Sequence, residues 1–156
     1  MGLDMYLYGS LYVGGEYRHD GSIIDIAEAE GMYCGNAISV PVSDISSISL
    51  RVGYWRKANA IHNWFVTHHA DGVDNCRQIP LCLDDLKELK GLCLEVLADH
   101  TKAEKLLPST SGFFFGSTAY GEWYFSDLEE TVKIIDKAIL MDAKYNGLDF
   151  YYRASW

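Results

Sequence analysis

Apolar residues recur along this chain at two periods, and the switches between them mark out elements. LDMYLY, residues 3 to 8, alternates at the period of two that a half-buried strand requires. Gly9-Ser10 and Gly14-Gly15 then punctuate the chain, with LYV between them, and predict two short strands joined by a turn. Residues 15 to 45 carry no sustained period. Gly21, Gly31, Gly35 and Pro41 interrupt them, and IIDIAEAE fits either a strand or a single helical turn. ISSISLRVGYW, residues 45 to 55, alternates again and predicts a strand. In RKANAIHNWFVTHHA, residues 56 to 70, the period becomes helical. Ala58, Ile61, His62, Phe65, Val66 and His69 fall on one arc with Trp55 at its edge, and Asp71-Gly72 ends the helix.

VDNCRQIPL reads as a loop or short strand. LDDLKELKGLCLEVLAD, residues 83 to 99, is a second amphipathic helix with Leu86, Leu89, Cys93, Val96 and Leu97 as its stripe. Asp84 and Asp85 suit its positive N-terminus. Leu107-Pro108 stops the segment after it. SGFFFGSTAYGEWYF reads as two aromatic strands around a polar, glycine-bearing connection. Ser126-Asp127-Leu128-Glu129 fits a capping box opening a third helix that runs to about Leu140, with Leu128, Val132, Ile135 and Ile139 inward. Asn146-Gly147 is a turn, and DFYYRASW closes as a strand. Strands, two helices, strands, a helix and a strand predict an α+β fold: a mostly antiparallel sheet with about three helices on one face.

Composition adds bounds. A chain of 156 residues, 49% hydrophobic and 22% charged, suggests one domain, residues 1–156, with a core that needs no staples. The aromatic content of 13% is the main compositional signal. A net charge of −9 argues against general nucleic-acid binding, which needs a basic face, but leaves room for a local pocket for a small anion. Cys34, Cys76, Cys82 and Cys93 form no CxxC. With no secretory signal and no apolar run near 18 residues, reduced thiols in a cytoplasm and no membrane association are expected. Tyr6 stands where a myristoylation signal wants Ser or Thr.

The densest chemistry lies in GYWRKANAIHNWF. One reading makes Arg56, Lys57, Asn59, His62 and Asn63 the edge of a pocket, with Tyr54, Trp55 or Trp64 as a flat wall. The plainer reading is a core His bonded to a carbonyl, exposed cations, and Trp as packing. In STSGFFFGST, five hydroxyls and two glycines surround three Phe. Ser111, Gly112, Ser117 and Thr118 would offer hydroxyls and amides to an anion, against a plainer reading as a buried Phe strand with polar turns. It is not a Walker loop, since the GxxxxGK spacing is missing. In DFYYRASW, Arg153 beside Tyr151 could stack on a base or pair with a phosphate, or the strand could simply be locked by Trp156.

A metal site is not expected. His68-His69, Asp71, Asp74 and Cys76 are ligand types without ligand spacing, and adjacent helical His diverge by about 100°. A nucleophile built from Cys34 or Cys76 with a distant His has no local signature. Asp84-Asp85 and Glu129-Glu130 lie at helix starts, where the dipole explains them.

Long strings of this chain resemble one family. MGLDMYLY, YWRKANAIHNWF, DNC at 74 to 76, LLPSTSGFFFGSTAYGEWYF and the closing DFYYRASW look like a family of small proteins from tailed phages and prophages. Its members begin MGLDMYL and end close to DFYYQSSW, and the resemblance covers nearly the whole chain. Arg153-Ala154 departs from the family's Gln-Ser, which weakens a ligand-contact role for the last strand. A kinase-like activity ascribed to some members finds no phosphate loop or kinase motif here.

The resemblance implies a phage accessory protein acting in the host bacterial cytoplasm, where such proteins often counter immunity by binding and withholding a nucleotide signal. Aromatic walls with Arg, Lys, His and Asn suit that task, which needs neither catalysis nor cofactor. The expected partner is therefore a small anionic, nucleotide-like ligand, in a pocket that a homo-oligomer would deepen. Two rivals stand beside it. One is an acidic protein that inhibits a host defence nuclease or CRISPR effector by mimicking nucleic acid. The other is a nucleotide-cleaving enzyme with His62 as general base.

Overall fold

The computed structural model describes residues 2–12, 28–33, 36–41 and 45–156, the second and third segments as backbone. Four strands form one antiparallel sheet: β1 (Asp4–Tyr12), β4 (Ser47–Arg56), β5 (Ile79–Leu81) and β6 (Asp149–Ser155). Their spatial order is β4-β1-β6-β5. β2 (Glu28–Tyr33) and β3 (Asn36–Pro41) pair antiparallel in a separate two-stranded sheet. The helices are α1 (Asn59–His69), α2 (Leu83–Ala98), the four-residue α3 (Ala103–Leu106) and α4 (Glu122–Tyr145). The architecture is α+β.

β1 is one continuous strand through Gly9-Ser10 rather than two joined by a turn. Gly9 fits because the backbone runs close under Leu148: a Cβ there would lie 2.9 Å from Leu148 Cδ1. The strand's inward side chains, Met5, Leu7 and Leu11, join Phe150 and Tyr152 of β6 in one core with Phe65 of α1, Leu89 of α2 and Ile135 of α4. The helices thus cover one face of the sheet. Of residues 15 to 45, where the sequence shows no period, β2 and β3 occupy two stretches. Glu28 to Glu30 of IIDIAEAE open β2, and the IIDI half lies outside the described residues.

β4 carries the detail that matters most for the site. Leu7 stands opposite Gly53 and Tyr8 opposite Arg51, so Val52 is an extra residue and the strand bulges. Both Val52 and Gly53 are buried, and the alternation changes phase there. Trp55 consequently points into the core and Tyr54 outward; an unbulged strand would place them the other way. The bulge sits where β4 meets α4. A Cβ on Gly53 would collide with Ile134 Cγ2, and Lys137 Nζ donates to the Val52 carbonyl at 2.8 Å.

The segment 111–125 is not a pair of strands. It is a turn-rich loop that runs into α4, whose N-cap is Gly121. The physical reason is the stripe: Tyr124, Leu128, Thr131, Ile135 and Ala138 are buried at alternating intervals of four and three, the helical period. Tyr124 thus extends the helix one turn before the Ser126 capping box, and Ser126 becomes an exposed interior residue. At α2 the acidic start has a defined role, since Asp85 Oδ2 accepts the Cys82 amide at 2.6 Å. Among the described residues no helix is long and apolar enough to cross a membrane.

Candidate functional site

The chain leaves β4 through Lys57, a lysine in the left-handed region at φ +62°. Such a conformation is costly for a residue with a Cβ. Its backbone is pinned from both sides: the Lys57 amide donates to Leu3 O at 2.8 Å, and its carbonyl accepts from Asn59 N at 2.8 Å. This reversal starts α1 at once. The N-cap is Ala58, which offers no side-chain cap, and the first turn holds no acidic residue. The opening amides of α1 therefore lack the side-chain acceptor that most helices supply.

Asn59 organises the loop in front. Its Nδ2 donates to Phe115 O at 3.1 Å and Ser117 O at 2.8 Å, and its Oδ1 accepts from Thr110 N at 3.1 Å. Asn59 is buried, so the amide is a structural staple and not a reader of ligand edges. Further ties complete the loop. Ser109 Oγ donates to Thr118 O at 2.8 Å, Asn63 Nδ2 to Pro108 O at 3.2 Å, and the Leu3 amide to Phe114 O at 3.2 Å.

The stapled loop divides the surface into two clefts. The first, about 370 Å³, is lined by the end of β4, the first turn of α1, Gly116 and Ser117 of the loop, and Trp123, Tyr124, Asp127 and Leu128 of α4. Arg56 and Lys57 line it and make no ion pair among the described residues. Glycines make room for them: a Cβ on Gly116 would approach Lys57 Cβ to 3.3 Å, and one on Gly2 would approach Lys57 Cε to 3.4 Å. Trp123 is 84% exposed and presents its indole at this cleft. Asp127 is the acidic lining residue, and burial pushes its carboxyl up to about 6.

The second cleft, about 460 Å³, lies on the other side of the loop, between Thr110–Phe115, Asn63 and Thr67 of α1, Asp74 and Trp156. At its base His62 Nδ1 lies 2.7 Å from the Tyr152 hydroxyl and Nε2 lies 2.9 Å from Asp74 Oδ2. An ionised carboxylate only accepts, so Nε2 donates to Asp74. Trp156 Nε1 donates to the other Asp74 oxygen at 3.2 Å. Burial holds the Tyr152 hydroxyl well above its usual range. His62 is 2% exposed, and both its nitrogens are engaged, Nδ1 by the buried Tyr152 hydroxyl. Cys76 lines a small cavity with His62. Cys34 lies outside the described residues.

The residues expected at one site are therefore distributed. Arg56, Lys57, Asn59 and Ser117 meet at the first cleft. His62, Asn63, Ser111 and Gly112 meet at the second, where Gly112 admits the Phe115 ring, 2.6 Å from where a Cβ would stand. Trp55 and Trp64, each 3% exposed, are core residues and wall neither cleft. Trp55 Nε1 donates to Thr131 Oγ1 at 2.9 Å, and Trp64 packs on His68 and His69.

Thr118 is exposed and lines neither cleft. Tyr54 and Arg153 lie on the outer sheet face, away from both. There the rings of Tyr54, Tyr6, Tyr8 and Tyr151 pack in a row at centroid distances of 5.3, 5.9 and 5.1 Å. Two of their hydroxyls are tied, Tyr54 to Asp4 and Tyr151 to Ser49. Tyr6 and Tyr54 also line a third cleft, about 600 Å³, with Arg51, Lys133 and Lys137.

Sequence reasoning missed Trp123, Tyr124 and Asp127. The helical spacing of Tyr124, Leu128 and Ile135 was the available signal. Read as a helix, it turns Trp123 outward and sets Asp127 one turn beyond it. No group of three or more His, Cys, Asp or Glu among the described residues could hold a metal ion. No protein-family model, curated protein or solved structure matches the chain.

Proposed function

We propose that this protein binds a small anionic, nucleotide-type ligand in the first cleft and withholds it without transforming it. One observation carries the reading: Arg56 and Lys57, free of ion pairs among the described residues, flank an uncapped helix start at a cleft walled by an exposed Trp. Cations and first-turn amides suit a phosphate, and an indole face suits a base. Sequestration asks for tight binding and no reacting group. The resemblance to phage and prophage proteins supplies the setting, an anti-defence protein in the bacterial host that removes a nucleotide alarm.

The test is thermal unfolding with cyclic dinucleotides, cyclic ADP-ribose isomers, NAD and ATP, followed by mass spectrometry of the recovered ligand. A ligand at 100 times its Kd stabilises by about 2.7 kcal/mol, which in a chain of this length raises Tm by roughly 5–10 °C. Arg56→Ala and Lys57→Ala should each remove most of that rise, with ligand recovered intact from the parent protein. Absence of any rise across the panel would sink the reading. A chemically altered ligand would replace sequestration with turnover.

A further inference from the structure

We propose that Asp127 reads the vicinal diol of a ribose, so that the first cleft selects ribonucleotides with free 2′- and 3′-hydroxyls. The inference rests on the nucleotide reading and narrows it.

Asp127 sits in the second turn of α4 and lines the same cleft as Arg56, Lys57 and Trp123. Among the described residues its carboxylate has neither a hydrogen bond nor an ion pair. Beyond the helix ladder, its backbone carbonyl accepts from Thr131 Oγ1 at 2.7 Å. Burial raises its pKa, as expected of a carboxylate that has lost hydration. A half-buried acceptor with two unused oxygens is unfavourable in an empty cleft and is improved by donors that arrive with a ligand.

The other polar groups assign the two ends. Asn59 is consumed by the loop, its amide included, which leaves Arg56, Lys57 and the Ala60 and Ile61 amides of α1 for the anion. A phosphate beside Asp127 would meet a like charge, so the portion of ligand facing α4 must be uncharged and donor-bearing. A sugar carrying adjacent hydroxyls meets that need, because one carboxylate can accept from both. A helix start holding phosphate with an acid on the ribose is a recurrent division of labour in nucleotide sites. The indole of Trp123, one turn before Asp127, is then available for the base.

Calorimetric titration with ATP and 2′-deoxy-ATP tests this directly, using the whole chain and Asp127→Asn. The isosteric amide keeps the volume and removes the charge, and its Tm without ligand reports folding. The parent protein should bind ATP at least tenfold more tightly than 2′-deoxy-ATP. Asp127→Asn should bring that ratio close to one, chiefly by weakening ATP. Equal affinities in the parent protein, or a preference that survives Asp127→Asn, would overturn the assignment.

A second arm separates its failure from that of the nucleotide reading. A 3′,5′-linked cyclic dinucleotide has both 3′-hydroxyls esterified and should not bind. Tight binding of it that requires Arg56 but ignores Asp127→Asn would keep the cleft as a nucleotide site and discard the diol. Failure of every nucleotide would discard both.

Discussion

Asn59 Nδ2 donates to Ser117 O at 2.8 Å across 58 residues of chain, and this bond sets the wall between the two clefts. The same side chain holds Phe115 O and Thr110 N, so one buried amide closes a loop with no regular structure of its own. Replacing Asn59 by Ala should cost about 2–3 kcal/mol, the loss of three partly buried hydrogen bonds with groups left unpaired. Hydrogen exchange should show the loss of protection at the Thr110 amide. Asn59→Asp should fare no better, because a carboxylate would face two carbonyl oxygens. Unchanged Tm in both variants would show that the loop is held elsewhere.

Asp74 joins His62 to Trp156 through its two oxygens. Asp74→Ala leaves the buried Nε2–H of His62 without an acceptor and should destabilise by about 1–3 kcal/mol. Asp74→Asn should recover only part of this, because one carbonyl oxygen replaces two acceptors. Urea unfolding gives the energies. Quenching of Trp156 fluorescence should increase in Asp74→Ala if the indole is released.

The raised pKa of Asp127 has a stability consequence with a definite sign. Its carboxyl stands at about 6 in the folded chain against 3.8 ordinarily, so the folded state holds the proton more tightly. Its contribution is fully present below pH 4 and is lost as pH rises through 6. Asp127→Asn should therefore be more stable than the parent above pH 7, by about 1 kcal/mol once screening at this half-exposed site is allowed for. The difference should vanish near pH 4. Tm measured for both proteins from pH 4 to 8 checks it, and parallel curves would refute it.

Gly53 touches Ile134 where β4 bulges. Gly53→Ala should destabilise by about 1–3 kcal/mol through overpacking, and it should cost less in an Ile134→Ala background, where the colliding Cγ2 is gone. Additive losses in the double variant would place the cause elsewhere.

Cys93 lies in the core of α2, and burial pushes its thiol up to about 12. At pH 8 in native buffer, iodoacetamide should modify exposed Cys82 while leaving Cys93 intact until the chain is unfolded. Peptide mapping by mass spectrometry reads both.

Local periodicity determined much of this protein. The arc Ile61, Phe65 and Val66, the stripe Leu86, Leu89, Cys93 and Val96, and the alternation of Phe150 and Tyr152 are core faces as their spacing required. An α+β class results from such segments in their order. What spacing leaves open is phase and partnership. Whether Trp55 or Tyr54 faced the core depended on the bulge at Val52, which is a relation between two strands. Whether Asn59 read a ligand or a loop depended on carbonyls more than 50 residues away. Trp123 and Asp127 became cleft residues only because α4 begins at Glu122, with Tyr124 finding its place in the core and its hydroxyl donating to Leu107 O at 2.8 Å. Polar groups in a folded chain are satisfied by whichever partners the tertiary structure brings near, and the order of residues supplies the donors and acceptors without saying which will meet.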